Sequence, residues 1–213
     1  MEDSYLHKGL RKKLVEELKK KGITDVKVLE AMNKVPRHHF MDSSFVHFAY
    51  KDQAFPISEG QTISQPYTVA FQTQLLNIRK GDKVFEVGTG SGYQAAILLE
   101  LGAIVYTMER HKTLNFNAQA LLPKLGYNPH FFYGDGYEGL PSYAPFDKII
   151  ITAGASEIPS KLIQQLKTGG KLVVPVGTRV SQTMILVEKI SGNNIKTSEH
   201  GSFVFVPMLK GRD

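Results

Sequence analysis

KVFEVGTGSGYQAA, residues 83–96, decides the fold. An apolar run ends at Val87, glycines follow at 88, 90 and 92, and a helical pattern opens at Tyr93. Glycines in a strand-to-helix turn let the backbone take positive φ and approach a ligand closely, with free N–H groups of the helix start aimed at it. The dinucleotide fingerprint asks for a small residue where Tyr93 stands. What remains is an acid, Glu86, followed by a glycine triplet. A carboxylate in this turn repels a pyrophosphate and suits a ligand that carries a cation. S-adenosylmethionine carries an ammonium and a sulfonium, so the turn points to it as cofactor, with Glu86, Gly88, Gly90 and Gly92 as binding residues.

Working outward, apolar runs at 83–87, 104–108, 130–133, 148–152 and 171–176 read as buried strands. Helical patterns near 93–101, 114–125 and 159–166 separate them. Short Ile- and Val-rich runs alternating with helices predict a parallel sheet covered on both faces. Two more strands are expected at 183–188 and 202–208, and the turn residues Gly192, Asn193 and Asn194 predict a long hairpin, hence an antiparallel edge. The expected fold class is α/β, a Rossmann-like S-adenosylmethionine-dependent methyltransferase fold over 81–213. Its sheet is mostly parallel with antiparallel edge strands. An N-terminal helical extension over 1–80 completes one structural domain.

Two further acids stand where such a ligand would need them. Glu109 ends the second strand, 21 positions after Gly88, close to the ~20-residue offset of a ribose-binding carboxylate. Asp135 and Gly136 end the third strand. Asp135 is placed to accept from an adenine amino group, and Gly136 leaves its backbone free to approach the ring. All these positions lie at carboxyl ends of neighbouring strands, where open α/β sheets bind ligands.

In the extension, Leu10, Leu14 and Leu18 recur every fourth residue and predict an amphipathic first helix. A second helix starts behind Thr24 and Asp25, a good N-cap pair, buries Val28, Leu29 and Met32, and stops at Pro36. From 37 to 65 no period is sustained. Five aromatic residues there (Phe40, Phe45, Phe48, Tyr50, Phe55) predict a long loop that is ordered. Pro66 opens a third helix to about Leu76. His38 and His39 are adjacent, and neighbours on a helix point apart, so packing and surface roles are expected of them and no metal site.

The 213 residues are 42% hydrophobic and 22% charged, which excludes a disordered or fibrous chain. With no Cys there are no disulfides, thiolate zinc sites, iron–sulfur clusters or cysteine nucleophiles. No apolar run reaches the ~18 residues of a membrane span, and no apolar segment follows the first positive charges as in a secretory leader. The expectation is a soluble, cytoplasmic protein with no membrane partner, and nothing asks for more than a monomer. The net charge is +6, yet seven basic residues against Glu16 and Glu17 between Lys8 and Lys21 hold five of those charges. No aromatic residues are interleaved among them for base stacking. A solvated helix face is expected there, with no nucleic acid as partner.

The acceptor is read partly from an absence. ITAGASEIP, residues 151–159, follows the fourth strand and holds no Asn-Pro-Pro-Tyr-like cluster to grip a base. A carboxylate is already ionised near neutral pH and attacks without a base, so a site dominated by positioning suits a carboxylate acceptor. On the residues alone, an RNA or small-molecule acceptor and a non-catalytic binding module stay open.

Over nearly its whole length the chain resembles the protein-L-isoaspartate O-methyltransferases. The matching strings are VLEAMNKVPRHHF (28–40), GQTISQPYTVA (60–70), FEVGTGSGYQAA (85–96), GDGYEGL (134–140), APFDKIIITAGA (144–155), GGKLVVPVG (169–177) and FVPM (205–208). Phe85 in place of an aliphatic residue and the ending KGRD depart from the family's pattern. The resemblance implies methyl transfer from S-adenosylmethionine, leaving S-adenosylhomocysteine and using no metal. The acceptor is the free carboxylate of isoaspartyl residues in damaged peptides and proteins, whose ester then collapses to a succinimide. It also implies Ser64 as the active-site serine, read as a hydrogen-bond donor that orients the acceptor carboxylate. Thr62, Ile63 and Gln65 belong to a loop closing over cofactor and substrate. Ala54 and Pro56 are expected to contact substrate backbone, and Gln182 to close the cofactor pocket from the C-terminal side.

Overall fold

Ser4 and Asp25 open the first two helices in the computed structural model, which describes residues 2–192 and 194–213. The Ser4 hydroxyl accepts from the His7 N–H at the start of α1 (Tyr5–Lys20), and the Asp25 carboxylate accepts from Lys27 and Val28 at the start of α2 (Val26–Lys34). The buried face of α1 is Leu14, Val15, Leu18 and Arg11, while Leu10 stays 38% exposed. This corrects the every-fourth-residue stripe. At 3.6 residues per turn, eight residues overshoot two full turns by about 80°, so Leu10 and Leu18 do not share a narrow face. The six lysines of the basic segment are exposed as expected, but Arg11 is buried. Its guanidinium pairs with both Asp3 oxygens and donates to the Tyr50 hydroxyl and the Asn33 carbonyl.

The expected ordered loop follows. Arg37–Phe40 and Ser43–Phe48 form 3-10 turns, and β1 (Phe55–Pro56) pairs antiparallel with β2 (Thr62–Ile63). His38 is buried, stacked on His7 at 3.9 Å, with Nδ1 2.7 Å from the Tyr50 hydroxyl. Asp3, His7 and His38 each bring a donor atom within 4.8 Å of the others. Arg11 occupies both Asp3 oxygens and the two imidazoles lie face to face, so their in-plane lone pairs do not converge as a metal would require. α3 (Pro66–Leu76) starts at the proline and ends at Asn77 in the left-handed region.

The remaining elements alternate. β3 (Lys83–Val87), α4 (Tyr93–Glu100), β4 (Ile104–Glu109), α5 (Lys112–Leu121) and β5 (His130–Tyr133) come first. β6 (Phe146–Ile151), α6 (Ser160–Gln164), β7 (Leu166–Gly177), β8 (Gln182–Ser191) and β9 (Asn194–Phe203) complete the chain. The sheet order is β5-β4-β3-β6-β7-β8-β9, parallel from β5 to β7 and antiparallel at β8 and β9. The chain leaves β3 in one direction for β4 and β5 and in the other for β6 and β7. The carboxyl end of β3 is thus the switch point where such sheets bind ligands.

One expected strand moves. The edge strand lies at Asn194–Phe203, and 204–208 leaves β8 to run beside Gly154, whose N–H donates to the Val206 carbonyl at 2.8 Å. β9 is mostly exposed, so its KTSEHGS stretch carries no hydrophobic signal, while the apolar Phe203–Met208 stretch belongs to the site. Of the expected turn residues, Asn193 lies outside the described residues. The parallel strands bury both faces. Val84, Val105, Ile150 and Val173 join Leu14, Leu18 and Met32 of the extension in one cluster, and Phe85, Ile149, Ile151 and Leu172 pack in another on the opposite face. The extension is therefore seated on one face of the sheet.

Candidate active site

The glycine loop takes the conformation its residues allow. Gly88, Gly90 and Gly92 all have positive φ. A Cβ on Gly88 would lie 2.4 Å from the Thr152 hydroxyl, whose one proton is shared between the Gly88 and Val87 carbonyls at 2.8 and 3.0 Å and staples the end of β6 to the loop. Glu109 holds the loop from the other side. Its Oε2 accepts from the Gly90 N–H at 2.9 Å, and its Oε1 accepts from the N–H groups of Arg110 and His111 at 2.8 and 3.0 Å. Each carboxylate oxygen offers about two lone pairs, so Oε2 keeps one acceptor site on the pocket wall.

Glu86 lies beneath the loop and off the pocket wall, fully buried. Thr107 Oγ1 donates to its Oε2 at 2.5 Å and lies 2.6 Å from the hydroxyl of Thr89, which does line the pocket. Burial pushes the Glu86 carboxyl up to about 8, with Glu109 adding in the same sense, and Oε1 has no partner among the described residues. At neutral pH Glu86 is mostly a neutral acid. The simple attraction of an anion for a cationic ligand is weaker here than the sequence alone implies.

Two cavities meet at the end of β2. One is lined by the glycine loop, Thr62, Ile63, Ser64, Glu109, Thr152 and Ala153. It adjoins a slot of largely apolar lining between Val87, Met108, Gly136 and Met208. A Cβ on Gly136 would sit 2.3 Å from Val87 Cγ1, so only glycine leaves the slot open. The second cavity is a groove of about 660 Å³ running from Ala54 past Ser64 and Gln65 to the 200–206 segment. Thr62, Ser64, Thr152 and Val206 line both, and Ser64 thus stands where they join.

Other expected residues fall elsewhere. Asp135 lines neither cavity nor the slot; its Oδ1 accepts from the Tyr137 N–H and its Oδ2 from the Gly211 N–H at 2.8 and 2.7 Å. Gln182 is buried off both cavity walls, accepting from the Phe205 N–H at 2.8 Å and donating to the Thr178 carbonyl. It ties the 204–206 segment to the loop before β8. Pro56 is exposed in β1 and lines neither cavity, whereas Ala54 lines the groove.

The glycine cradle, the free acceptor site on Glu109 and the slot beside Gly136 together fit S-adenosylmethionine. The family model for protein-L-isoaspartate(D-aspartate) O-methyltransferases matches residues 9–213. The chain belongs to that family. A relative from Christiangramia forsetii, named protein-L-isoaspartate O-methyltransferase, is 58% identical over 100% of both chains. A solved structure with that name is 30% identical, with TM-score 0.84 over 92% of this chain and 65% of that one. A Plasmodium falciparum structure, described as such an enzyme in complex with S-adenosyl-L-homocysteine, is 26% identical. Its TM-score is 0.81 over 94% of this chain and 98% of that one.

Membership makes this chain an S-adenosylmethionine-dependent protein carboxyl methyltransferase. In this family member, sequence reading missed Thr152, Ser181, Phe203 and Val206 on the cavity walls. A strand-end position after β6 is the signal that could have found Thr152. The others sit in segments whose pairing only the fold reveals.

Proposed function

We propose that the chain methylates the free carboxylate of L-isoaspartyl residues, with the damaged peptide lying in the groove and Ser64 orienting the acceptor at the junction. The carrying observation is the chemistry of that junction. Its residues Thr62, Ser64, Thr152 and Val206 offer hydroxyls and an apolar wall, with no carboxylate, imidazole or amine among them. With no general base among these four residues (Glu109 and His200 each line one cavity only), an amine or alcohol acceptor at the junction would keep its proton, whereas a carboxylate arrives already ionised.

When bound, S-adenosylmethionine supplies a methyl group already activated on a sulfonium sulfur. The chain's own part is binding and alignment. Glu109 accepts from ribose hydroxyls, the Gly136 slot takes the adenine, and Glu86 sets the loop from beneath through Thr107 and Thr89. Ser64 has its carbonyl held by Arg37, and its hydroxyl has no partner among the described residues, so it is free to donate to the acceptor. None of the groove's lining residues is Asp, Glu, Lys or Arg. Recognition there falls to hydroxyls, aromatic faces, the Gln65 amide, the His200 imidazole and backbone, which suits peptides of varied flanking sequence. The same reading makes the protein a cytoplasmic monomer that acts on protein without a metal and does not bind nucleic acid.

With labelled donor and an isoaspartyl peptide, wild type should form a base-labile methyl ester. Ser64→Ala should lower kcat on the order of 100-fold, as for loss of one positioned donor, while calorimetry shows S-adenosylhomocysteine affinity kept. Wild-type kcat in Ser64→Ala would remove Ser64 from the mechanism.

A further inference from the structure

Behind Ser64 lies a charge that the scheme above leaves unused. Arg37, at the start of the 3-10 turn after α2, is fully buried. Its Nη1 donates to the Ser64 carbonyl at 2.9 Å and its Nη2 to the Gln53 carbonyl at 3.3 Å. The guanidinium lies 5.0 Å from the centroid of the Tyr93 ring, and Nε has no partner. None of the ion pairs among the described residues includes Arg37. A buried cation without a paired anion is costly to fold around. Burial lowers its pKa only to about 10, so it stays charged at neutral pH.

The two carbonyls it holds belong to the two ends of one segment. Gln53 precedes the β1–β2 hairpin and Ser64 follows it. Asp52 pins the same base from its anionic side. Its Oδ1 accepts from the Tyr67 N–H at 2.7 Å, and its Oδ2 accepts from Gln65 Nε2 at 3.1 Å and from Lys21 Nζ at 2.5 Å. The base of the hairpin, including Ser64, is thus held from two sides.

We propose that Arg37 is a positioning residue for methyl transfer: it fixes the Ser64 and Gln53 backbone at the base of the substrate loop, and its charge favours an anionic acceptor in the groove. The proposal rests on the role of Ser64 given above. The two functions separate kinetically. The acceptor carboxylate loses its charge as the ester forms, so a cation behind it favours binding more than the chemical step. The geometric function acts on kcat.

Arg37→Lys keeps the charge and loses the two-pronged grip, while Arg37→Met loses both. In the full-length chain, with folding checked by S-adenosylhomocysteine calorimetry, both variants should lose kcat on an isoaspartyl peptide by roughly 10- to 100-fold. KM should rise several-fold in Arg37→Met and stay near wild type in Arg37→Lys. Amide hydrogen exchange over 53–66 should quicken in both. In wild type, NMR should show slowly exchanging Arg37 Nη protons, a readout that needs no variant to fold. Folded variants with wild-type kcat and KM, or freely averaging Arg37 Nη signals, would overturn the assignment while leaving the methyltransferase reading intact. Wild type inactive on isoaspartyl peptides would overturn both.

Discussion

Glu86 shows how far burial moves the chemistry of one side chain. Its folded-state value of about 8 lies above the ordinary 4.5. A group shifted in that direction contributes stability that is fully present below about 4.5 and is lost as pH rises through about 8. Glu86→Gln keeps the shape and removes the titration. The wild-type melting temperature minus that of the variant should fall as pH rises from about 5 to 8 and then level off. A flat difference would mean that Glu86 ionises alike in both states. Residues that hold the cofactor loop are legible in the sequence because backbone geometry demands glycine there, and Glu109 follows from its offset. Arg37 is not legible. One buried cation carries no period, and its partners are main-chain carbonyls brought near only by folding. Asp135 follows the end of β5 as expected but lines no cavity, and the Tyr137 and Gly211 N–H groups on its oxygens could not be foreseen.

At the level of elements, the segment after β9 crosses the carboxyl end of the sheet as a strap. Gly154 exchanges backbone bonds with Val206 and Met208 at 2.8 Å each, and Asp135 holds the Gly211 N–H. Arg110 then pairs with both Asp213 oxygens at 2.6 and 2.9 Å, and His111 Nδ1 lies 2.7 Å from one of them. The Asp213 side chain is 54% exposed, so Asp213→Ala should cost below about 1 kcal/mol in denaturant unfolding. Amide exchange at Gly211 and Asp213 should nevertheless quicken, because the strap loses its outer anchor. Unchanged exchange would show that the pairing does not hold the segment. Elements with caps or strong apolar runs were readable in advance, among them α2 behind Asp25, α3 from Pro66 and β3. β9 was not, since a solvated edge strand lacks the alternation that marks a half-buried one. The two-residue strands β1 and β2 are too short for any period.

Across the whole molecule, the parallel sheet supplies the cofactor end and the N-terminal extension supplies the loop with Ser64, and both share one buried cluster. At their junction the two cavities share Thr62, Ser64, Thr152 and Val206, where the proposed reading brings donor and acceptor together. The +6 charge, which first invites a nucleic-acid partner, sits mostly on exposed lysines of α1, outside the residues that line the groove. No helix among the described residues is long and apolar enough to cross a membrane. The topology was legible because strand and helix periods alternate so regularly; the acceptor groove was not, because it is walled by segments more than a hundred residues apart. The most direct test sets matched substrates side by side: one peptide with an L-isoaspartyl residue, its aspartyl twin, and tRNA, each with labelled S-adenosylmethionine. The expected result is base-labile label on the isoaspartyl peptide alone. Label on the aspartyl twin to the same extent, or on tRNA in its place, would contradict a site built for the isoaspartyl carboxylate.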